Sequence, residues 1–454
     1  MPPAKTLREA YNAVNPAEPL PPGDPRYVDC KDVRGNEDTV ARMFKTITYS
    51  DEHTHQLFTG HRGCGKSTEL LRLMKRLEND GFYVVYFAAD DHLDPNDLIY
   101  TDLLLSVARR VEEDCREDGI DLTQALKNIE TWFSEVVYQK SEWEAVETEL
   151  KNEAEFGIGL PKGVPLVARL LTRLTGKIKT GDAVKTEIRQ RLDSQIEQLI
   201  GRLNELLLRA EIEVRKTSKK AVVVIVDNLD RITFKDFGVG RTSHDALFIE
   251  HGEQLCALHC HTVYTVPISM MYGLSARTLC SIFPAYHVLP MIKSREPRVK
   301  GGGDSPEGMN RLRGILGHRI EIDSLCEEDA VTDLCRACGG HPRDLMTLVH
   351  HSIEDADESQ AKPITRAAVE RAEARLVAAF SRMIPETYFE KLVAVYRTNK
   401  IKKDADHQAM LFSQSVLEYA NGIEPWHDVH PAVQKLDSFT EVLKNERAKL
   451  TAES

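Results

Sequence analysis

Glycine, lysine and serine recur at a fixed spacing in the run Gly60-His61-Arg62-Gly63-Cys64-Gly65-Lys66-Ser67, which we call the P-loop. The run fits the pattern G-x-x-x-x-G-K-[ST], in which backbone N–H groups and a helix N-terminus surround a chain of phosphates. Lys66 would reach the β- and γ-phosphates, and Ser67 would hold Mg²⁺. An apolar run precedes the pattern and an amphipathic stretch follows it. The spacing therefore predicts binding of ATP with Mg²⁺.

Contacts to the nucleotide are predicted along this loop and on either side of it. Val33 and Arg34 lie in a turn that precedes the helical stretch leading into the P-loop strand. The predicted contacts are Gly60, His61, Arg62, Gly63, Cys64, Gly65, Lys66, Ser67 and Thr68, with Val33, Arg34 and Pro342.

Carboxylates after a second apolar run are predicted to complete the magnesium and catalytic sites. Asp227 ends the run at residues 222–226, and in P-loop NTPases such an aspartate binds Mg²⁺ opposite the P-loop serine. Hydrolysis also needs a group that orients the attacking water. Asn228 cannot act as a base, so Asp230 is the candidate. Alternatively, Asp230 pairs with Arg231 or caps the next helix.

Two further residues are candidates for sensing the γ-phosphate. Thr265 follows an apolar run and could hydrogen-bond the γ-phosphate or the attacking water; alternatively, it is an ordinary strand residue. Arg343 begins a predicted helix and could cross a cleft to the γ-phosphate, which would couple the nucleotide to the angle between domains. Pro342 could pack on adenine. The alternative is that Gly340 and Pro342 only end one helix and begin another.

Five apolar runs are predicted to form the sheet that positions these residues. They lie at residues 57–59, 82–88, 222–226, 262–266 and 286–289. Continuously apolar runs separated by helical segments predict an α/β fold with a parallel sheet and its ligand at the carboxyl ends of the strands. About residues 91–220 have helical periodicity and are predicted to be a helical insertion between two strands.

The chain is predicted to have four regions. A proline-rich extended arm occupies residues 1–30, and the P-loop core occupies residues 31–300. A helical lid follows at residues 301–383, and a winged-helix-like domain at residues 384–454. In the last region a strand-like run at residues 411–419 meets the turn Asn421-Gly422, which predicts a hairpin.

Charge and composition indicate an ordinary globular protein. The net charge is −12 and the isoelectric point is about 5.8, so nucleic acid is a possible but not a favoured partner. Two basic stretches are present. Residues 162–179 could contact nucleic acid, anionic lipid or an acidic partner, or could be a solvated helix face. Residues 397–403 could contact DNA or could be an ordinary basic loop between helices. We expect the first to be an exposed amphipathic segment.

Location and redox state follow from features that the sequence lacks. The longest apolar run, residues 221–226, is too short to cross a bilayer, and residues 1–5 lack the apolar core of a secretion signal. We therefore expect a cytoplasmic protein with no transmembrane segment. The nine cysteines are expected to be reduced thiols. The cysteines and histidines at residues 256–261 and 335–338 could suggest zinc, but buried free thiols are the preferred interpretation.

Taken together, these motifs resemble the STAND and origin-recognition side of the AAA+ ATPases. The matching features are the P-loop, residues 222–231 as Walker B, Thr265 as sensor 1 and residues 340–343 as sensor 2; the Walker B region also resembles that of KAP-type NTPases. The resemblance implies a bacterial ATPase with strand order 5-1-4-3-2, a helical lid and a winged helix packed on the nucleotide. No Thr-Ser-Arg follows the fourth run, so the arginine finger is unassigned, with Arg231, Arg295 and Arg298 as candidates.

The leading hypothesis is an ATP-binding and ATP-hydrolysing molecular switch. By the resemblance it would regulate or assemble with a separately encoded effector, in bacterial antiphage defence, as a homo-oligomer or hetero-oligomer. The alternative is a winged-helix DNA-binding initiator or loader. A nucleotide-free scaffold is a third hypothesis.

Overall fold

A five-stranded parallel sheet forms the centre of the protein. The computed structural model describes residues 2–156, 160, 164–175, 182–235, 237–238, 241–358 and 363–453. The strands are β1 (His55–Gly60), β2 (Tyr83–Ala88), β3 (Val222–Asp227), β4 (His261–Pro267) and β5 (Ala285–Val288). They pair in the order β2-β3-β4-β1-β5, with every ladder parallel. Read from the opposite edge, this is the order 5-1-4-3-2, so the predicted α/β fold class is confirmed.

Helices cover both faces of the sheet and build the rest of the protein. In chain order they are α1 (Leu7–Ala13), α2 (Thr39–Thr48), α3 (Lys66–Asn79), α4 (Ala89–His92), α5 (Tyr100–Glu117), α6 (Thr123–Trp132), α7 (Lys140–Phe156), α8 (Leu166–Thr175), α9 (Asp182–Ser194), α10 (Ile196–Lys216), α11 (Ser243–Asp245), α12 (Gly252–Cys256), α13 (Ala276–Ile282), α14 (Pro306–Gly317), α15 (Ile322–Leu325), α16 (Glu328–Ala337), α17 (Pro342–Glu358), α18 (Arg366–Met383), α19 (Phe389–Thr398), α20 (Ala405–Phe412), α21 (Pro431–Gln434) and α22 (Asp437–Glu453).

Strand β3 is buried on both of its faces. Val222, Val224 and Val226 pack into the core that contains α5 and α10, whereas Val223 and Ile225 pack into the core that contains α2 and α3. A run of β-branched residues suits a strand covered on both sides, because no position along it needs to be polar. Burial continues to the carboxyl edge of the sheet, where Asp227 and Asp230 are themselves buried.

The insertion between β2 and β3 is helical, as predicted, and comprises α4 to α10. Its segment α8 was expected to be exposed and basic. Instead, Val167, Leu170 and Leu171 are buried in one core with α5 and α6. The expectation is therefore wrong for residues 166–175, because the apolar face of α8 packs inside the insertion. The basic residues Lys162, Lys177 and Lys179 lie outside the described residues.

The N-terminal region differs from the predicted extended arm at residues 7–13, which form α1. The Thr6 side chain caps this helix by accepting a hydrogen bond from the Glu9 N–H, and Leu7 and Ala10 are buried beneath it. They belong to the core that contains the lid helices α14 to α18. Residues 15–30 have no helix or strand and run on towards the P-loop.

The C-terminal region has the predicted winged-helix-like arrangement. Helices α19 and α20 precede the antiparallel hairpin of β6 (Val416–Asn421) and β7 (Glu424–Val429), in which Asn421 pairs with Glu424. Residues 411 and 412 were predicted in the first strand but end α20. Leu411 fits the helix because it packs with Val416 and Val429 in one core. We refer to residues 389–453 as the C-terminal module.

The structure bears on two further expectations, the lack of a membrane-spanning helix and the state of the cysteines. Within the described ranges, no helix combines the length and apolar character needed to span a bilayer. The cysteines are free, and Cys260, Cys335 and Cys338 are buried. Burial raises the pKa of the Cys338 thiol well above its usual value, so this thiol is protonated rather than a metal-binding thiolate.

Candidate functional site

The P-loop joins β1 to α3 at the carboxyl edge of the sheet. Gly63 and Gly65 have φ angles of +79° and +109°, in the left-handed region that glycine adopts without strain. A Cβ atom on Gly63 would lie 2.7 Å from the Cβ of Arg343 and 2.7 Å from the Cε1 of His341. Glycine is therefore needed at this position both for the turn and for the close approach of the lid.

Lys66 is turned inward and is 6% exposed. Its Nζ atom donates to the carbonyls of Gly60 at 2.8 Å and His61 at 2.9 Å, and it lies 3.0 Å from Oδ2 of Asp230. Burial is the largest single influence and would lower the pKa of Lys66, but the charge and hydrogen bond of Asp230, together with the nearby Cys64 and Asp227, raise it overall. The lysine is therefore charged and ready to bind an anion at this place.

Asp227 lies directly behind the P-loop. Its side chain lies near Ser67 and accepts from the Tyr86 hydroxyl at 2.8 Å and from the Asn228 N–H at 2.7 Å. Burial raises the pKa of Asp227. A serine hydroxyl and a carboxylate are oxygen ligands of the kind that Mg²⁺ prefers, so Ser67 and Asp227 fit a magnesium ion.

The turn after β3 is built around Asp90, which follows β2. Asn228 has a φ of +62°, and its Nδ2 donates to Oδ1 of Asp90 at 2.7 Å. Arg231 pairs with Oδ2 of the same carboxylate at 2.7 Å. Asp230 points the other way, to Lys66, and its backbone carbonyl accepts from Arg62. Asp230 is therefore the carboxylate of this turn that reaches the P-loop.

A cavity of about 190 Å³ lies in front of the P-loop. Most of the predicted contacts line it. These are Arg34, Arg62, Gly63, Cys64, Gly65, Lys66, Ser67, Thr68, Asp230, Pro342 and Arg343. The predicted residues Gly60, His61, Val33, Asp227 and Thr265 do not line it.

The Thr265 hydroxyl is hydrogen-bonded to the backbone of the turn after β3. Its oxygen accepts a hydrogen bond from the Leu229 N–H at 2.9 Å, and the residue is fully buried. In this conformation Thr265 holds the turn after β3 in place and does not reach the cavity.

Positive charge converges on the cavity from several elements. Arg34 donates through Nη2 to the Cys64 carbonyl at 2.7 Å, and its Nε and Nη1 atoms are buried with no hydrogen-bond partner among the described residues. Burial and the neighbouring charge of Arg231 lower the pKa of Arg343. Buried cations with unused donors favour an anionic ligand. Arg231 was considered only as a finger candidate, and the structure places it on this wall.

The lid and the C-terminal module both touch the P-loop. In the lid, Nε2 of His341 lies 2.6 Å from the Arg62 carbonyl oxygen. In the C-terminal module, the Gln414 side chain donates to the same carbonyl. The Glu418 N–H of β6 donates to Nε2 of His61 at 2.9 Å. Burial lowers the pKa of His61 well below its usual value, so the ring is neutral and can accept this hydrogen bond. Sequence reasoning missed Gln414 and Glu418.

An aromatic contact strengthens this junction. The Arg62 guanidinium lies 4.6 Å from the centre of the Phe412 ring at the end of α20. The Phe412 ring in turn lies 5.3 Å from the Phe234 ring, which follows the Asp230 turn. The P-loop, the turn after β3 and the C-terminal module therefore meet at one point.

The N-terminal segment closes the opposite side of the cavity. The Leu20 N–H donates to the Thr68 hydroxyl at 3.1 Å. The Tyr27 hydroxyl donates to Glu69 at 3.1 Å, and the Arg72 guanidinium lies 4.2 Å from the centre of the Tyr27 ring. The proline-rich composition predicted a segment lying on the body of the protein, but no motif indicated that it lines the nucleotide cavity.

Comparisons with known proteins give loose structural similarities. No protein-family model and no curated protein matches the sequence. The structure is similar to the Aeropyrum pernix ORC1 protein in complex with DNA, at 14% identity over 97% of this chain and 98% of that chain, with a TM-score of 0.41. It is also similar to Cdc6p from Pyrobaculum aerophilum, at 11% identity over 96% and 98% of the two chains and a TM-score of 0.38.

A third similar structure is the Thermotoga maritima RuvB Holliday junction branch migration motor. Its identity is 10%, over 90% of this chain and 97% of that chain, and its TM-score is 0.34. Identities and TM-scores this low describe a loose resemblance, so the function of this protein has to come from its own side chains.

Proposed function

We propose that this protein is an ATP-dependent molecular switch, which binds and hydrolyses ATP at the P-loop and changes the position of its C-terminal module accordingly. One observation carries the proposal. The loop that would hold the phosphates is itself hydrogen-bonded to the C-terminal module, through His61 and Glu418 at 2.9 Å. A change in the loop therefore acts directly on β6.

The cavity has the chemistry of a triphosphate site. Lys66 and the N-terminal end of α3 face the loop, and Arg34, Arg231 and Arg343 add positive charge. Ser67 and Asp227 supply oxygen ligands for Mg²⁺. The proposed ligands are ATP and Mg²⁺, with Pro342 on the wall as the contact proposed for adenine.

Hydrolysis is assigned to Asp230, since Asn228 has no basic group. A phosphate that binds Lys66 competes with the Asp230 carboxylate, which now lies 3.0 Å from the ammonium group. Once released from Lys66, this carboxylate can orient the attacking water and accept its proton. Arg343 is proposed to contact the γ-phosphate from the lid.

Nucleotide binding would be coupled to the C-terminal module through the two carbonyls that Lys66 now binds. The lysine now donates to the Gly60 and His61 carbonyls. When phosphate oxygens take over these donor bonds, the carbonyls must find other partners, and the backbone around His61 is rearranged. The His61 ring is the acceptor for Glu418, so the rearrangement changes how β6 sits on the P-loop.

Calorimetric titration with ATP and Mg²⁺ tests the binding site. Lys66→Ala should lose most of the affinity, whereas Lys75→Ala, on the exposed side of the same helix, should bind ATP as the wild type does. Equal affinity of Lys66→Ala and wild type would refute the P-loop assignment. Absence of ATP binding to the wild-type protein would instead support a nucleotide-free scaffold.

DNA binding is a second candidate function, and it concerns the C-terminal module. Lys400, Lys402 and Lys403 are exposed in the loop between α19 and α20, where a basic loop can contact phosphates. The face of α20 is covered, however, since Gln408 donates to the Ser269 carbonyl at 3.3 Å. Duplex binding through α20 therefore requires the module to leave the core. Salt-dependent duplex binding that is lost when the three lysines are changed to alanine would support this candidate.

The arginine finger and the partners remain predictions. Arg295 and Arg298 pair with Asp428 of the C-terminal module and do not line the cavity. Arg231 pairs with Asp90 but lines the cavity, so it is the proposed finger, acting within the same chain. The family resemblance alone supports three proposals: a separately encoded effector, a role in bacterial antiphage defence and oligomer formation. A cytoplasmic location is proposed from the sequence features described above.

A further inference from the structure

Two histidines and a glutamate form a compact cluster on α17, outside the nucleotide cavity. Nδ1 of His351 lies 3.0 Å from Oε2 of Glu354, and Nδ1 of His350 lies 3.8 Å from Oε1 of the same carboxylate. One ligand atom from each of the three residues lies within 4.8 Å of the others. All three side chains are partly exposed, so an ion from solvent can reach them.

We propose that His350, His351 and Glu354 bind one divalent transition-metal ion such as Zn²⁺. Two imidazole nitrogens and one carboxylate form a donor set that suits zinc, cobalt and nickel, with the remaining coordination positions left to water. Calcium and magnesium are disfavoured, because they prefer sites made only of oxygen.

The spacing of the three groups is close to that of ligands on a single ion. Two ligands that each lie about 2.1 Å from a tetrahedral zinc ion are about 3.4 Å apart. The two nitrogen–oxygen distances in the cluster, 3.0 Å to Oε2 and 3.8 Å to Oε1 of Glu354, lie on either side of this value. Small side-chain rotations on one helix would bring the three groups to bonding distance.

A metal ion would replace a hydrogen bond that the cluster already makes. In the metal-free state the His351 Nδ1–H donates to the Glu354 carboxylate. A metal ion takes the place of that shared proton on Nδ1, and the imidazole carries its single proton on Nε2 instead. The charge that repels the ion is that of Arg375, whose Nη1 lies 3.6 Å from Oε2 of Glu354. Arg375 is itself held by Asp355 at 2.6 Å.

The surroundings supply support for the ligands. The Tyr11 hydroxyl of α1 donates to Oε1 of Glu354 at 3.4 Å, and the Tyr11 ring packs on the His350 ring with centroids 3.7 Å apart. Hydrogen bonds to ligating carboxylates orient them and raise metal affinity. A bound ion therefore strengthens the attachment of α1 to α17, the helix whose first residues touch the P-loop.

Zinc titration of the full-length protein without nucleotide tests the proposal, with calorimetry for affinity and the visible absorption of Co²⁺ for coordination. The wild type should show one site at which cobalt gains the spectrum of nitrogen and oxygen ligation. His351→Ala and Glu354→Gln should each weaken zinc binding at this site by more than the roughly 10–100-fold that loss of a residue supporting a ligand costs. Glu354→Gln keeps the side-chain shape, so a loss of binding there is not a loss of folding.

His53→Ala is the matched control. It removes an imidazole from a second histidine-rich surface, where His53 and His259 stack at 6.1 Å, and it should leave this zinc affinity unchanged. The proposal is overturned if Glu354→Gln binds zinc as tightly as the wild type, or if His53→Ala loses as much affinity as His351→Ala.

Discussion

Nζ of Lys66 lies 3.0 Å from Oδ2 of Asp230, and both side chains are almost completely buried. The lysine proposed to bind phosphate and the carboxylate proposed to orient water are thus each other's partner in this conformation. Breaking a buried pair leaves an unpaired charge, which is costly unless another ion replaces the lost partner. A phosphate chain is such an ion, so arrival of ATP and release of Asp230 are linked.

Asp230→Asn should separate binding from hydrolysis. The variant keeps the shape of the side chain but removes the charge that competes with phosphate for Lys66, so ATP affinity should rise. Hydrolysis should fall by about 10²-fold or more, because the proposed base is lost. Calorimetry and single-turnover phosphate release measure the two effects.

Asp91→Asn is the control for this substitution, since Asp91 is an exposed carboxylate near the same edge of the sheet. It should leave both quantities unchanged. Hydrolysis by Asp230→Asn at the wild-type rate would show that another group orients the water.

Arg343→Ala should weaken ATP binding more than ADP binding. Arg343 lines the cavity from the first turn of α17, and its backbone N–H donates to the Gly63 carbonyl at 3.3 Å. A charge-assisted hydrogen bond to the γ-phosphate contributes about 1.5–3 kcal/mol, which corresponds to roughly 10–100-fold in the ratio of ATP to ADP affinity. Arg336→Ala, at an exposed arginine that pairs with Asp304, should not change this ratio. Equal loss of ATP and ADP affinity in Arg343→Ala would contradict the γ-phosphate contact.

Gly63→Ala should disturb the contact between P-loop and lid. The left-handed backbone at this residue costs a side chain about 1–2 kcal/mol, and the added Cβ would lie 2.7 Å from the Cβ of Arg343. We therefore expect a lower free energy of unfolding and weaker ATP binding. Gly314→Ala lies in α14, where a Cβ meets nothing within 4 Å, so it should be neutral or stabilising by about 0.5–1 kcal/mol. Equal stability of the two variants, measured by chemical denaturation, would argue against a tight junction.

Stability should fall as the pH is lowered from neutrality. Burial and the nearby charge of Arg62 lower the pKa of His244 to about 4 in the folded protein, against about 6.5 in the unfolded chain. Between these two values the unfolded state binds more protons, so the free energy of unfolding decreases as the pH falls through this window. Similar lowered values near 4 apply to His55, His261 and His287.

The pH effect of His244 can be isolated with a substitution. His244→Gln should lose less stability than the wild type between about pH 7 and about pH 5. His318→Gln, at an exposed histidine, is the control and should keep the wild-type dependence. An unchanged dependence in His244→Gln would show that folding does not lower the pKa of this ring.

The sheet and the phosphate cradle could be predicted because their signals are local. The continuous apolar run ending in Asp227 reports burial on both faces, and the P-loop spacing reports a backbone conformation that only glycine adopts easily. These two features are enough to predict that Ser67 and Asp227 lie near each other at this edge of the sheet.

The remaining contacts could not be predicted because they are set by tertiary packing. Glu418 and His61 are far apart in the sequence, and the contact is made by the backbone N–H of Glu418, so the residue type at position 418 gives no sign of it. Thr265 has the residue type of a phosphate sensor, but the structure gives its hydroxyl to the Leu229 N–H. Likewise, the charges on α8 suggested an exposed segment, whereas its leucines pack inside the insertion.

Hydrogen–deuterium exchange of the β6 amides, followed by mass spectrometry, tests the coupling between nucleotide and module most directly. The Glu418 N–H is protected by its hydrogen bond to His61, so peptides covering residues 415–421 should exchange faster when the wild-type protein is saturated with ATP and Mg²⁺. The same peptides in Lys66→Ala should exchange equally with and without the nucleotide. Unchanged exchange in nucleotide-saturated wild type would contradict the switch.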